Sequence, residues 1–214
     1  MPSDILKVKL SGRVFGDFRL AVDFEVAPGI TVLFGPSGAG KSTTLSAIAG
    51  LREVEAGRIT LGDTVWLGET SLPVHLRKVA YLFQSRALFP HLTALQNVAF
   101  GANEEVAKKL LERMQVGHLA HRKPGTYSGG EAQRVALARA FAPKPRLVLL
   151  DEPFTALDRP LRDALYAEVK GLIAEAGVPA IVVTHDPEEA RTLGSRFVSI
   201  NAGSTSLDGR ANTP

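Results

Sequence analysis

Nine consecutive residues, Gly35, Pro36, Ser37, Gly38, Ala39, Gly40, Lys41, Ser42 and Thr43, follow the order of a phosphate-binding loop, G-x-x-x-x-G-K-[ST]. Gly38 and Gly40 let the backbone turn without Cβ crowding, so successive N–H groups can point at phosphate oxygens. A helix opening near Lys41 adds the positive end of its dipole. Lys41 then serves the β- and γ-phosphates, and the Ser42 hydroxyl is placed to ligand Mg²⁺. Farther along, the apolar residues Leu147, Val148, Leu149 and Leu150 run into Asp151 and Glu152, a carboxylate pair poorly suited to a core. Asp151 suits a magnesium site through its water shell, and Glu152 suits the polarisation of an attacking water. Gln84 and His185 also close short apolar runs, at the strand end where open α/β sheets handle ligands. The loop alone says no more than nucleotide phosphate, a property many enzyme classes share.

Positioning these groups requires an α/β sheet. The run from Ile30 to Phe34 reads as the buried parallel strand ahead of the loop, and the helix from Lys41 stops at Gly50. Alternation at Leu6, Val8 and Leu10, and again at Leu20, Val22, Phe24 and Val26, predicts an antiparallel pair turning near Gly16 and Asp17. A second hairpin is expected around Gly62 and Asp63. Val79 to Phe83, Ala180 to Val183 and Phe197 to Ile200 read as further core strands. Helical patterns from Thr93 to Phe100 and Glu104 to Met114, with a capped helix after Ser128, predict a helical insertion over about residues 88–145. Ser128 and Glu131 have capping-box spacing, which does not explain Gly129 and Gly130 in a first turn; close approach to a ligand would. Asp158 with Pro160, and Asp186 with Pro187 and Glu189, mark two more helix starts. A loosely ordered tail is expected from about residue 201.

Composition narrows the class. The 214 residues are 45% hydrophobic and 22% charged, enough for one domain with a substantial core. A net charge of +3, from 25 basic and 22 acidic residues without a dense cationic run, gives no reason to expect direct nucleic-acid binding. With no cysteine, disulfides, thiolate ligands and cysteine nucleophiles are excluded together. No stretch reaches the roughly 20 apolar residues of a membrane span, so a membrane role is expected to come through a partner.

The assembled motifs resemble the ATP-binding subunit of an ABC transporter over about residues 5–200. They occur in that family's order: phosphate loop, Q-loop Gln84, signature Ser128, Gly129 and Gly130, Walker B end Asp151 and Glu152, D-loop Ala156, Leu157 and Asp158, and switch His185. The resemblance implies a phosphate-loop NTPase core of α/β class carrying an antiparallel β subdomain and a helical subdomain. It also implies ATP and Mg²⁺, and two copies packed head to tail, with the signature of one facing the γ-phosphate held by the other. Glu152 is then the general base, His185 braces base and phosphate, Gln84 touches Mg²⁺ or the water, and Asp158 lies at the dimer seam. An aromatic residue stacks on adenine in that family; Phe15 is the candidate and Phe18 the fallback. Tyr127 and Glu131 depart from the common leucine and glutamine of the signature.

The segment Gln84, Ser85, Arg86, Ala87, Leu88, Phe89, Pro90, His91, Leu92 is similar to importer subunits for molybdate, sulfate, polyamines and sugars, most of all the molybdate branch. That implies transmembrane permease subunits as partners, an extracytoplasmic substrate-binding protein acting indirectly, and a place on the cytoplasmic face of the membrane. The C-terminal regulatory domain common in that branch is not expected within residues 1–214. A non-transport ABC ATPase working as a mechanical or assembly module is the alternative.

Overall fold

The computed structural model describes residues 4–155, 157–194 and 196–206, with Phe15 and Ser206 described by their backbone only. Its frame is a mixed sheet of ten strands: β1 (Leu6–Phe15), β2 (Phe18–Val26), β3 (Gly29–Phe34), β4 (Ala56–Leu61), β5 (Thr64–Leu67), β6 (Val79–Leu82), β7 (Leu147–Asp151), β8 (Pro179–Thr184), β9 (Arg196–Asn201) and β10 (Ser204–Ser206). The strands lie in the order β5-β4-β1-β2-β10-β9-β3-β8-β7-β6. The β1, β2, β4 and β5 half is antiparallel, whereas β3 is parallel to both β8 and β9, and β7 to both β6 and β8.

Among the described residues six α-helices cover the sheet: α1 (Lys41–Ala49), α2 (Ala94–Ala99), α3 (Glu104–Arg113), α4 (Gly129–Phe141), α5 (Arg159–Ala176) and α6 (Pro187–Leu193). Side chains alternate along the central strands, so each strand feeds two cores. Leu33, Leu149, Ile181 and Val183 pack with α1, Trp66 and the antiparallel strands. Val32, Leu150, Ala180 and Val182 pack beneath α2 to α6. Between β6 and β7 the described elements are helical, and Arg113 at the end of α3 ties this region to α5 through Glu168 and Glu175.

Local chemistry sets the helix ends. Gly50, at φ 81°, and Gly177, at φ 64°, cap α1 and α5 in the left-handed region that favours glycine. Thr93 and Gln96 close a reciprocal capping box on α2. At α6, Asp186 Oδ1 accepts from the N–H groups of both Glu188 and Glu189. The acid at Glu189 is therefore free of the capping role that its position predicts, and its side chain is buried.

The expectation of a tail from residue 201 is corrected. Ala202 and Gly203, at φ 45° and 80°, make a tight hairpin that returns the chain as β10 between β9 and β2. Residues 207–214 lie outside the described residues.

Candidate active site

The parallel register puts the chemistry-bearing residues in one row. Phe34 pairs with Thr184, Val183 with Asp151, and Leu150 with Leu82, so the phosphate loop, His185, Glu152 and Gln84 all leave the sheet at the same edge. A hollow of about 250 Å³ opens there, lined by the loop residues Ser37, Gly38, Gly40, Lys41, Ser42 and Thr43 together with Phe18, Gln84 and Glu152.

The loop has the conformation its glycines allow. Gly38 and Gly40 have φ of 77° and 99°, and a Cβ on Gly38 would project into open space. At Gly40 a Cβ would come within 2.7 Å of Phe18 Cζ, because that ring lies over the loop. Gly35 is pressed on Ile200, whose carbonyl oxygen a Cβ would approach to 2.0 Å. Lys41 is buried, and its ammonium donates to the Gly35 and Pro36 carbonyls at 2.8 and 2.9 Å. Burial lowers its pKa, a shift opposed by the charges of Glu152 and Asp151. Gly203 N–H donates to Ala39 O at 2.9 Å, so the β9–β10 turn braces the loop from behind.

The Ser42 hydroxyl hydrogen-bonds the Asp151 carboxylate, whose pKa burial raises. A hydroxyl beside a single carboxylate next to a phosphate cradle fits magnesium, which keeps waters and needs no all-protein cage. No cluster of three or more His, Cys, Asp or Glu with metal-binding geometry occurs among the described residues.

Glu152 sits at φ 49°, a left-handed conformation that is strained for a non-glycine residue. Its N–H is held by Val183 O at 3.0 Å. Its carboxylate meets His185 Nδ1 at 3.0 Å and Gln84 Nε2 at 3.5 Å. A carboxylate only accepts, so His185 Nδ1 carries the proton. These distances bring Gln84, Glu152 and His185 together above the phosphate loop.

Other residues singled out in the sequence lie elsewhere. Ser128 caps α4 in a full capping box, accepting from Glu131 N–H at 3.2 Å while Glu131 accepts from Ser128 N–H at 2.7 Å. His118 adds a contact of 3.1 Å to Glu131, and the Ser128 N–H together with His118 pulls that carboxyl down to about 2. Ser128, Gly129 and Gly130 do not line the hollow at Lys41. Asp158 is the cap of α5, accepting from Leu161 N–H at 3.0 Å, and it too lies outside the hollow. Ala156 and the side chain of Phe15 lie outside the described residues; Phe18, the fallback aromatic, lies against the loop and lines the hollow.

Sequence reasoning missed Gly203, Arg77 and Gln133. Arg77 is fully buried, donating to the carbonyls of Leu72, Ile48 and Trp66 and to Ser71 Oγ, and so ties the end of α1 to the antiparallel strands. Of these, only Gly203 had a local signal, the two-residue turn ahead of Ser204.

A profile of the ABC transporter family matches residues 21–155. The spermidine/putrescine import ATP-binding protein PotA of Pseudomonas fluorescens is 49% identical over 181 residues, covering 80% of this chain and 49% of that protein. The molybdenum import ATP-binding protein ModC of Methylococcus capsulatus is 43% identical over 194 residues, covering 87% of this chain and 54% of that protein. The chain spans about half the length of the curated relatives it matches. Among solved structures, the dimeric post-hydrolysis state of the ATP-binding cassette MJ0796 with ADP and Pi has a TM-score of 0.82 at 30% identity, covering 94% of this chain and 96% of that one. That likeness agrees with the phosphate-loop NTPase core expected from the motifs. Sequence profile, relatives and fold converge: the chain belongs to the ABC transporter family, as an ATP-binding cassette.

Proposed function

We propose that the chain binds and hydrolyses ATP to drive an ABC importer, with two copies packed head to tail around two nucleotides. The observation that carries this reading is the convergence of Gln84 and Glu152 on the hollow of the phosphate loop, with the Glu152 carboxylate 3.5 Å from Gln84 Nε2 and 3.0 Å from His185 Nδ1. Ser128, Gly129 and Gly130 contribute nothing to that hollow, which supports their serving a second copy's nucleotide. The dimeric state of the MJ0796 cassette supports the same arrangement.

In this reading the loop N–H groups and Lys41 bind the phosphates of ATP. Glu152 takes the proton from the attacking water, and the His185 Nδ1–H keeps the carboxylate turned toward it. Gln84 orients water from the other side. Magnesium, when bound, would be held by Ser42 and Asp151 with Gln84 near, and would supply charge neutralisation between the phosphates.

Phe100 is 72% exposed and its ring centroid lies 4.9 Å from that of Phe89, giving the helical insertion an apolar surface in the chain segment that follows Gln84. We assign this surface to a transmembrane permease, which would hold the chain at the cytoplasmic face of the membrane. The cargo proposed is molybdate or another small oxyanion, delivered by a separate binding protein. A polyamine is the second reading, because PotA is the more identical of the two relatives at 49% against 43%.

The test is Glu152→Gln. ATP binding and dimerisation should persist while turnover falls by about 10² to 10⁴, the range for losing a general base. Normal turnover would remove Glu152 from that role. Co-purification with a permease, followed by uptake of molybdate against spermidine, separates importer from soluble ATPase and oxyanion from polyamine.

A further inference from the structure

Behind Glu152 a buried amide joins three segments. Gln133, on α4 one turn past the signature, is 2% exposed. Its Oε1 accepts from Arg86 Nε at 3.0 Å, and its Nε2 donates to Pro153 O at 2.7 Å. Arg86 and Ala87 follow Gln84 and have φ of 60° and 47°, consecutive left-handed residues without glycine. Such a segment persists only where its surroundings over-determine it. Here α4 also supplies Arg139, which donates to Ala87 O at 2.7 Å and Arg86 O at 3.2 Å.

The other end of the amide reaches the residue after Glu152. Glu152 is fixed on its N-terminal side by its bond to Val183 O, and on its C-terminal side by the peptide of Pro153 that Gln133 holds. Between the two anchors Glu152 keeps its strained φ of 49° and its contact with His185. Thr155 Oγ1 also donates to Glu152 O at 3.0 Å, so loss of the Pro153 anchor leaves the C-terminal side of Glu152 held through Thr155 and loosens the backbone that aims the carboxylate.

We propose that Gln133 is a positioning residue for Glu152, and that the Arg86, Gln133 and Pro153 bridge mechanically links the Q-loop segment to the general base. The catalytic part of this proposal rests on the ATPase reading above. A displacement of the Gln84 to Ala87 segment is thereby passed to Glu152 through one side chain, in addition to the direct contact of Gln84.

Substitutions separate the two bonds. Gln133→Met keeps the volume and removes both. Gln133→Glu keeps an acceptor for Arg86 but cannot donate to Pro153 O. Both should lower kcat about 10 to 10²-fold with KM for ATP within about threefold, the pattern of a misplaced catalytic group. Arg86→Ala should have a smaller effect alone and none added to Gln133→Met. Independently of turnover, amide exchange at Glu152, Phe154 and Thr155 should quicken about tenfold in Gln133→Met, with the sheet amides unchanged. Wild-type kcat in both Gln133 variants overturns the positioning role. So does a parallel fall of ATP affinity, kcat and Tm, which would mark general loosening. An inactive wild type would sink the ATPase reading instead, and exchange would still decide the link, since unchanged protection in Gln133→Met overturns it.

Discussion

Substituting Gly203 by alanine tests whether the β9–β10 turn holds the phosphate loop. At φ 80° any Cβ carries the left-handed penalty, about 1–2 kcal/mol. The same Cβ would lie 2.1 Å from Arg19 O, a backbone atom that cannot swing aside. Relief requires a shift of close to 1 Å, judged from the 3.0 Å below which Cβ contacts essentially never fall. That shift breaks or stretches the Gly203 N–H to Ala39 O bond of 2.9 Å and the Ala21 N–H to Gly203 O bond of 2.8 Å. At about 0.5–1.5 kcal/mol each, the bonds bring the expected loss to roughly 2–5 kcal/mol. For a chain of this length about 2–4 °C of Tm accompanies each kcal/mol, so Tm should fall by roughly 5–20 °C. Gly177→Ala is the matched control: φ is 64° and nothing lies within 4 Å of its Cβ, which leaves the backbone penalty alone. Thermal unfolding followed by circular dichroism gives the stability, and titration with a fluorescent ATP analogue gives affinity for the loop. A Gly203→Ala protein that melts with the control and binds nucleotide as the wild type does would refute the reasoning.

Arg77→Met should destabilise the chain by about 2–4 kcal/mol in urea, because it removes the donor of the buried Ile48 carbonyl and of the half-buried Leu72 carbonyl, while Trp66 O keeps the Leu72 N–H at 2.9 Å; a loss under about 1 kcal/mol would contradict this. Burial raises Glu189 to about 7 from the ordinary 4.5, and its Oε1 has no hydrogen-bond partner among the described residues. A carboxyl raised on folding contributes stability that is present below about 4.5 and lost as pH rises through about 7. Glu189→Gln should therefore gain about 3 kcal/mol on the wild type between pH 4.5 and pH 8, and a pH-independent difference would exclude the effect. Glu131→Gln keeps the capping box while removing a charge from the signature end of α4. ATP KM should fall severalfold, more at low salt, and unchanged KM and kcat would show that charge to be silent.

Much of the fold was legible because its signals are local. The loop glycines, the Ser128 and Glu131 spacing, and the Asp186 and Pro187 helix start each specify a backbone conformation within a few residues. The strand ends carrying Gln84, Asp151, Glu152 and His185 were legible too, since polar residues closing apolar runs are rare without a purpose. Residues whose partners are distant carbonyls were not. Arg77 reads as a surface cation in sequence, and only the fold brings Ile48 O and Trp66 O to it. Gln133 sits on α4 without a motif, because its partners lie 47 and 20 residues away. β10 is three short polar residues, with no periodicity to read. Glu189 shows the reverse: its position fits a capping acid, but burial of the α6 face against the core took it inward.

The central place of β10 also bears on synthesis. The antiparallel and parallel halves of the sheet meet through this strand, which pairs with β2 at Ala21 and with β9. Asp23 and Thr205, bonded across the junction, are 182 residues apart. At about 5–20 residues per second, a ribosome needs roughly 10–40 s to pass from one to the other. During that interval β2 has an open edge, and the phosphate loop lacks the Gly203 turn behind it. A nascent chain therefore has every residue of the loop long before it has the loop's support, and its competence to bind nucleotide should arrive abruptly, with the hairpin that closes the sheet.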